Sequence, residues 1–321
     1  MPTSLLETPA PQTDNRSFGE ELQVTMAPVR ISTHWLGNHK KVSKSQKNQA
    51  AETFYAEANF VSMGKKLIDT NHFAWKDLTA IRGKMQTLWE GMSLPFPEPG
   101  IRLMRRRDVE SFTQSMEQYR EELKVAERYF DQHYGIIRDD ARSRLGELYD
   151  PADYPETMIG QFDVTWDFPN VEAPAYLMQL APALYRQEAE RVRNRFNEAV
   201  VLAEEAFTAE LGKLVEHLLE RLSGTEDGKP KIFRDTAITN LTEFFERFHK
   251  LNIGSSEELN QLVQDAQQII RGIGPDELRS NTALRANISQ NLENVQSTLD
   301  GLMVNRPRRN LIRSNVPSNQ A

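Results

Sequence analysis

Apolar residues recur at alternating steps of three and four through the middle of the chain: Val109, Phe112, Met116, Tyr119, Leu123, Ala126, Phe130, His133 and Ile137. That spacing lays a seam along one side of a helix. Between residues 107 and 148 no proline interrupts it, and Gly135 is the lone glycine of its middle, so the pattern predicts a rod of about 60 Å at 1.5 Å per residue. A second stripe, through Val192, Phe196, Val200, Ala203, Phe207, Leu211, Leu214 and Leu218, predicts a helix over residues 175–222. Between the two, Phe162, Val164, Trp166 and Phe168 alternate with Asp163, Thr165 and Asp167, the period of a strand with one buried face. Two helices of similar length joined by a compact insert predict an antiparallel hairpin, each seam buried against the other.

The flanks carry weaker patterns. Val29, Ile31 and Thr33 hint at a short strand; Phe54, Ala58 and Val61 give helix-like spacing over residues 50–68. Leu78, Ile81, Met85, Leu88 and Met92 form one stripe over residues 75–92. The segment LPFPEPG, residues 94–100, breaks that helix with three prolines and reads as a subdomain boundary. Beyond the hairpin, Ile238, Leu241, Phe244, Phe245 and Phe248 mark a helix over 236–251. Ser255 or Ser256 caps the next one, and Pro275 starts a last helix running to about residue 303. No tandem repeat of solenoid length is present.

The predicted fold is therefore all-α: a long antiparallel helical hairpin, coiled-coil-like, with a small β element at its tip and a compact helical bundle at its base. The expected organisation is a disordered tail over 1–27 and a helical subdomain with a short strand over 28–100. The hairpin follows over 101–222 with its β insert at about 156–170, then the C-terminal bundle over 223–304 and a basic disordered tail over 305–321.

Composition narrows the function. Of 321 residues 39% are hydrophobic, below the roughly 45–50% of globular domains, as fits helices that stay wet on one side. Net charge is −7, which argues against a dedicated duplex-DNA binder. Cysteine is absent, excluding disulfides, thiol nucleophiles, zinc ribbons and iron–sulfur clusters, and fitting a cytoplasmic location. No run of about 18 apolar residues predicts a membrane span, and residues 1–27 lack the pattern of a signal peptide. No membrane partner is expected.

Each candidate motif has a plain alternative. GTEDGKP has three residues between its glycines where a phosphate loop needs four, and Pro230 stands where Ser or Thr would bind magnesium. Glu246 and His249 form a single E-x-x-H pair where a di-iron bundle needs two, so a solvated helix face is preferred. His34, Trp35 and His39 lack the carboxylates of a metal site. Lys40, Lys41, Lys44 and Lys47, with Arg308 and Arg309 in the tail, form a candidate nucleic-acid contact in which Trp35 stacks on a base. Arg102, Arg105, Arg106 and Arg107 crowd the start of the rod, where a helix disfavours cations. They grip either carboxylates of this chain or a partner. Tyr119, Tyr129 and Tyr134 are aromatics of the kind enriched at interfaces. No nucleophile, cofactor-binding or metal-ligating set is assigned.

Three segments, SMGKKLID at 62–69, LPFPEPGIRLMRRRDVESF at 94–112 and KIFRDTAITNLTEFFERFHKLNIGSSEELNQLV at 231–263, resemble a bacterial and phage domain family of unknown function. The similarity spans roughly residues 29–275. Members of that family often sit beside MoxR-type AAA+ ATPases, which commonly act with von Willebrand factor A proteins. The resemblance implies that context and carries over no catalytic residues. The resulting expectation is a non-enzymatic scaffold or adaptor for a partner protein. Arg105, Arg106 and Arg107, with Trp166 and Phe168 at the hairpin tip, are its contact residues. Nucleic-acid binding and self-assembly into a structural subunit are the alternatives.

Overall fold

The computed structural model describes residues 16–222 and 236–305. In chain order the first elements are α1 (Phe18–Thr25), β1 (Met26–Trp35), β2 (His39–Lys41), α2 (Lys44–Thr53), β3 (Gly64–Lys66) and α3 (Phe73–Gly91). Then come β4 (Ser93–Pro95), β5 (Ile101–Arg105), α4 (Val109–Leu145), β6 (Phe162–Asp167), α5 (Leu177–Leu180) and α6 (Pro182–Leu222). The last are α7 (Thr236–Leu251), α8 (Glu257–Ile270), α9 (Pro275–Ser280) and α10 (Thr282–Asn305). Two compact units result, one of Gln23–Val192 and one of Met1–Leu22 with Arg193–Ala321.

In the Gln23–Val192 unit, β4, β5, β1 and β6 form an antiparallel sheet in that order, and β2 pairs with β3 in a second, two-stranded sheet. β1 is the organising strand: Met26 lies opposite Arg105 of β5, and Trp35 opposite Phe162 of β6. The all-α expectation is thus overturned; the chain is a mixed α and β protein in which helices remain the majority. The β insert is no hairpin tip but an edge strand of the sheet. The proline-rich segment 94–100 lies where β4 turns back to β5, inside one unit.

The long helix exists, 37 residues and about 55 Å, and its seam is buried at Phe112, Met116, Leu123, Ala126, Phe130 and Ile137. Its partner differs from expectation. The seam packs on α3, through Trp75, Leu78, Ile81 and Met85, and on Val29, Phe162 and Val164 of the sheet. Among the described residues this cluster contains nothing from α6. Trp35, Trp75, Phe130 and Phe162 meet edge to face or tilted, with ring centroids 5.0–6.1 Å apart, and tie sheet, α3 and α4 together. Two acids one turn apart on α4 then hold the approach to β6. Glu127 Oε1 accepts from the Gly160 and Phe162 amides at 2.9 and 3.2 Å, and Asp131 Oδ1 from the Met158 amide at 2.7 Å. α4 stops at Gly146, whose φ of +51° is one that side chains disfavour.

Residues 50–68 are not one helix. α2 ends at Thr53, and a 3₁₀ turn and β3 follow. Residues 18–27, placed in the tail, instead make α1 and the start of β1. In the other unit Phe207 of α6 packs edge to face on Phe244 and Phe248 of α7, and α8 packs against α7 and α10. The 305–321 tail, save Asn305, and the 223–231 loop lie outside the described residues.

Candidate partner-binding surface

A helix with one buried seam has a second face. On α4 that face carries Val125, Tyr129 and Ile136, spaced four and seven apart and therefore aligned. They are 57%, 40% and 64% exposed. Phe73, from the first turn of α3, lies 5.8 Å from the Tyr129 ring and is itself half exposed. His133 fills the space between: its ring meets Tyr129 at 4.6 Å and Phe73 at 5.0 Å, both edge to face. His133 Nδ1 stands 2.8 Å from the Tyr129 carbonyl oxygen, which only accepts, so Nδ1 is the donor of that bond. His72 stacks on Phe73 at 4.3 Å and caps α3 by accepting from the Ala74 amide through Nδ1.

His72 also lines a cavity of about 320 Å³ between the β3–α3 connection and the end of α4. Its floor is apolar, from Leu67, Ile68, Ile137 and Ala141. Its rim is charged: Arg144 Nη1 donates to Asp69 Oδ2 at 2.6 Å, and its Nη2 lies 4.0 Å from Asp140 Oδ2. The Asn71 amide, then the Arg144 guanidinium, hold the Asp69 carboxyl below the usual carboxylate range. A concave apolar floor with a few oriented polar groups is suited to one inserted side chain. A larger cavity, about 820 Å³, lies between α7 and α8; its polar wall is mostly Gln264, Gln267 and Gln268, with Arg271 the one charge. Among the described residues no exposed apolar stripe of the kind seen on α4 adjoins it.

The residues singled out in the sequence are dispersed. Arg105 is buried and donates to Asp108 Oδ2 at 2.7 and 2.8 Å. Arg106 donates to the carbonyls of Met26 and Gln23 at 3.1 and 3.2 Å, closing the end of α1. Arg102 does the same at the end of α3, donating to the Glu90 carbonyl at 3.4 Å and to the Ser93 carbonyl just beyond it at 2.8 Å. Arg107 is exposed. The crowding of cations at the start of α4 thus has a local cause: each of these three guanidiniums satisfies groups of its own chain. Trp166 is half-buried, with Arg120 5.3 Å over its ring, and Phe168 is 42% exposed. Trp166 pairs with Ile31 and Arg105 with Met26, five residues apart along β1, about 16 Å.

Of the lysines, Lys40 is held by Asp153, while Lys41 and Lys44 are exposed and Lys47 half-buried. Lys40 and Lys65 are direct cross-strand partners, a repulsive pairing that the buried Asp153 carboxylate bridges, at 2.5 Å from Lys65. Burial pushes Asp153 up, but the two lysines more than reverse this and leave it below its usual range. Arg308 and Arg309 lie outside the described residues.

Sequence reasoning passed over Val125 and Ile136. The signal was present: apolar residues off the seam, yet aligned with one another. Comparison with protein-family models, curated proteins and solved structures finds no match to the chain.

Proposed function

We propose that this chain is a non-enzymatic scaffold or adaptor that binds a partner protein along the outer face of α4. The supporting observation is the adjacency of the apolar-floored cavity to the stripe of Val125, Tyr129 and Ile136. Interfaces draw most of their energy from a few anchors seated in desolvated pockets, with aromatic residues prominent among them. Here the cavity receives an anchor from the partner while Tyr129 and Phe73 offer theirs. The family resemblance supports a MoxR-type AAA+ ATPase, with its von Willebrand factor A protein, as that partner, and a cytoplasmic place of action goes with it.

The test is capture of that ATPase by tagged full-length chain after nuclease treatment, wild type against Tyr129→Ser/Ile136→Glu. Both positions are solvent-facing, so the variant keeps its helical circular dichroism. Capture falling by about tenfold or more, some 1.4 kcal/mol, supports the surface. Equal capture removes the surface, and no ATPase with either protein removes the partner.

A further inference from the structure

Between β2 and β3 the chain leaves its hairpin for the excursion 42–63, and there it does something the rest of the protein avoids. Phe54, Tyr55 and Phe60 are 79%, 100% and 87% exposed, the three most exposed large apolar side chains among the described residues. Among the described residues none of the three has a ring neighbour, whereas the core aromatics meet one another edge to face or tilted.

Backbone and side chain disagree at Tyr55. α2 ends in a turn where the Tyr55 amide donates to the Glu52 carbonyl at 3.1 Å and the Ala56 amide to the Ala51 carbonyl at 2.9 Å. This double bond pattern puts its central residue in the left-handed region, a place for glycine. Tyr55 has φ of +51°, the only positive value outside glycine among the described residues. A fully solvated ring makes no contact that compensates for that strain, so the fold gives no reason for tyrosine here.

The surroundings are cationic in an acidic protein. Residues 39–66 contain six lysines against Glu52 and Glu57, while the whole chain is at −7. Lys40 and Lys65 are used on Asp153 to anchor the base of the excursion. Lys41, Lys44 and Lys66 remain exposed and Lys47 half-exposed. The Ser43–Gln46 capping box fixes the start of α2.

We propose that this excursion docks on the surface of an anionic lipid bilayer, with Phe54, Tyr55 and Phe60 entering the headgroup boundary and the lysines pairing with lipid phosphates. Charge complementarity selects an anionic surface, and the state of the rings selects a bilayer over a single-stranded nucleic acid. Single-strand binders lay bases on aromatic rings along a positively charged groove; rings as open to solvent as these three line no groove. A bilayer asks only for apolar area at a protruding turn, flanked by cations that add to the attraction. No described helix is long and apolar enough to cross a membrane; the contact is peripheral. It is independent of the α4 surface.

The experiment is flotation of the full chain with phosphatidylcholine vesicles, with and without phosphatidylserine, for wild type and Phe54→Ser/Tyr55→Ser/Phe60→Ser, with oligo-dT as a parallel probe. Wild type floats with anionic vesicles only, less so at high salt, and the variant loses about tenfold or more of that binding at an unchanged thermal midpoint. Lys44→Glu/Lys47→Glu weakens it as well. Wild type that stays with the soluble fraction overturns the proposal, as does a triple variant that floats equally. Ring-dependent binding of oligo-dT without flotation overturns it in favour of nucleic acid.

Discussion

Phe130 and Phe60 lie in the same compact unit and meet opposite fates. Phe130 is fully buried on the seam of α4, edge to face with Phe162 and tilted against Trp75; Phe60 is 87% exposed beyond the end of α2. Around Phe130 the polar groups are paired inward, Glu127 and Asp131 on backbone amides. Around Phe60 the charged groups face water. The difference separates residues that specify the fold from residues the fold merely carries, and both proposed contacts draw on the second set. The outer stripe of α4 belongs there too, one helix turned to two purposes.

The largest effect that sharpens this contrast is at the seam. Phe130→Ala removes a ring that three elements share and should cost about 3–5 kcal/mol in equilibrium denaturation. Next comes the buried ion pair beneath the excursion. Asp153→Asn leaves Lys40 and Lys65 facing each other, one of them buried, and should cost about 3 kcal/mol. Because Asp153 titrates below its usual 3.8 in the fold, the unfolded chain takes up its proton first as pH falls. Its contribution is present above that value and lost through the window below it, and the Asn variant lacks this part of the acid sensitivity.

A smaller effect appears in alkali. Burial pushes the Tyr134 and Tyr154 hydroxyls up to about 12 from 10.0, and Tyr154 also donates to the Leu67 carbonyl at 3.1 Å. Folded chain keeps both protons while unfolded chain loses them, so stability falls as pH rises from 10 through about 12. Phenolate absorbance should show two of the eight tyrosines ionising late. Full ionisation of all eight near pH 10 in folded protein would remove both from the core.

How much of this was legible follows from the range of each interaction. The α4 seam, the α3 stripe and β6 announce themselves because their periods are local. The sheet does not: β1 pairs with strands some 75 and 130 residues away, and pairings that distant leave no trace in local spacing. β4 is three residues long with a proline, too short for any period to show. The hairpin of α4 with α6 failed for a related reason. A stripe tells that a helix needs a partner, and matched lengths do not tell which; α3 and the sheet were the answer. At the candidate surface, the spacing of Val125 and Ile136 was visible, but exposure was not. Phe54 carried helix-like spacing and was placed inside a helix, although the helix stops one residue before it.

The most direct test of the division between carried and specifying residues is equilibrium urea denaturation of Phe54→Ser/Tyr55→Gly/Phe60→Ser beside wild type. Rings that touch nothing hold nothing, and glycine relieves a left-handed residue of about 1 kcal/mol of strain. The account predicts a variant at least as stable as the parent, with a gain of up to about 1 kcal/mol. A loss of more than about 1 kcal/mol, beyond the scatter of surface substitutions, would show that these rings support the fold and contradict it.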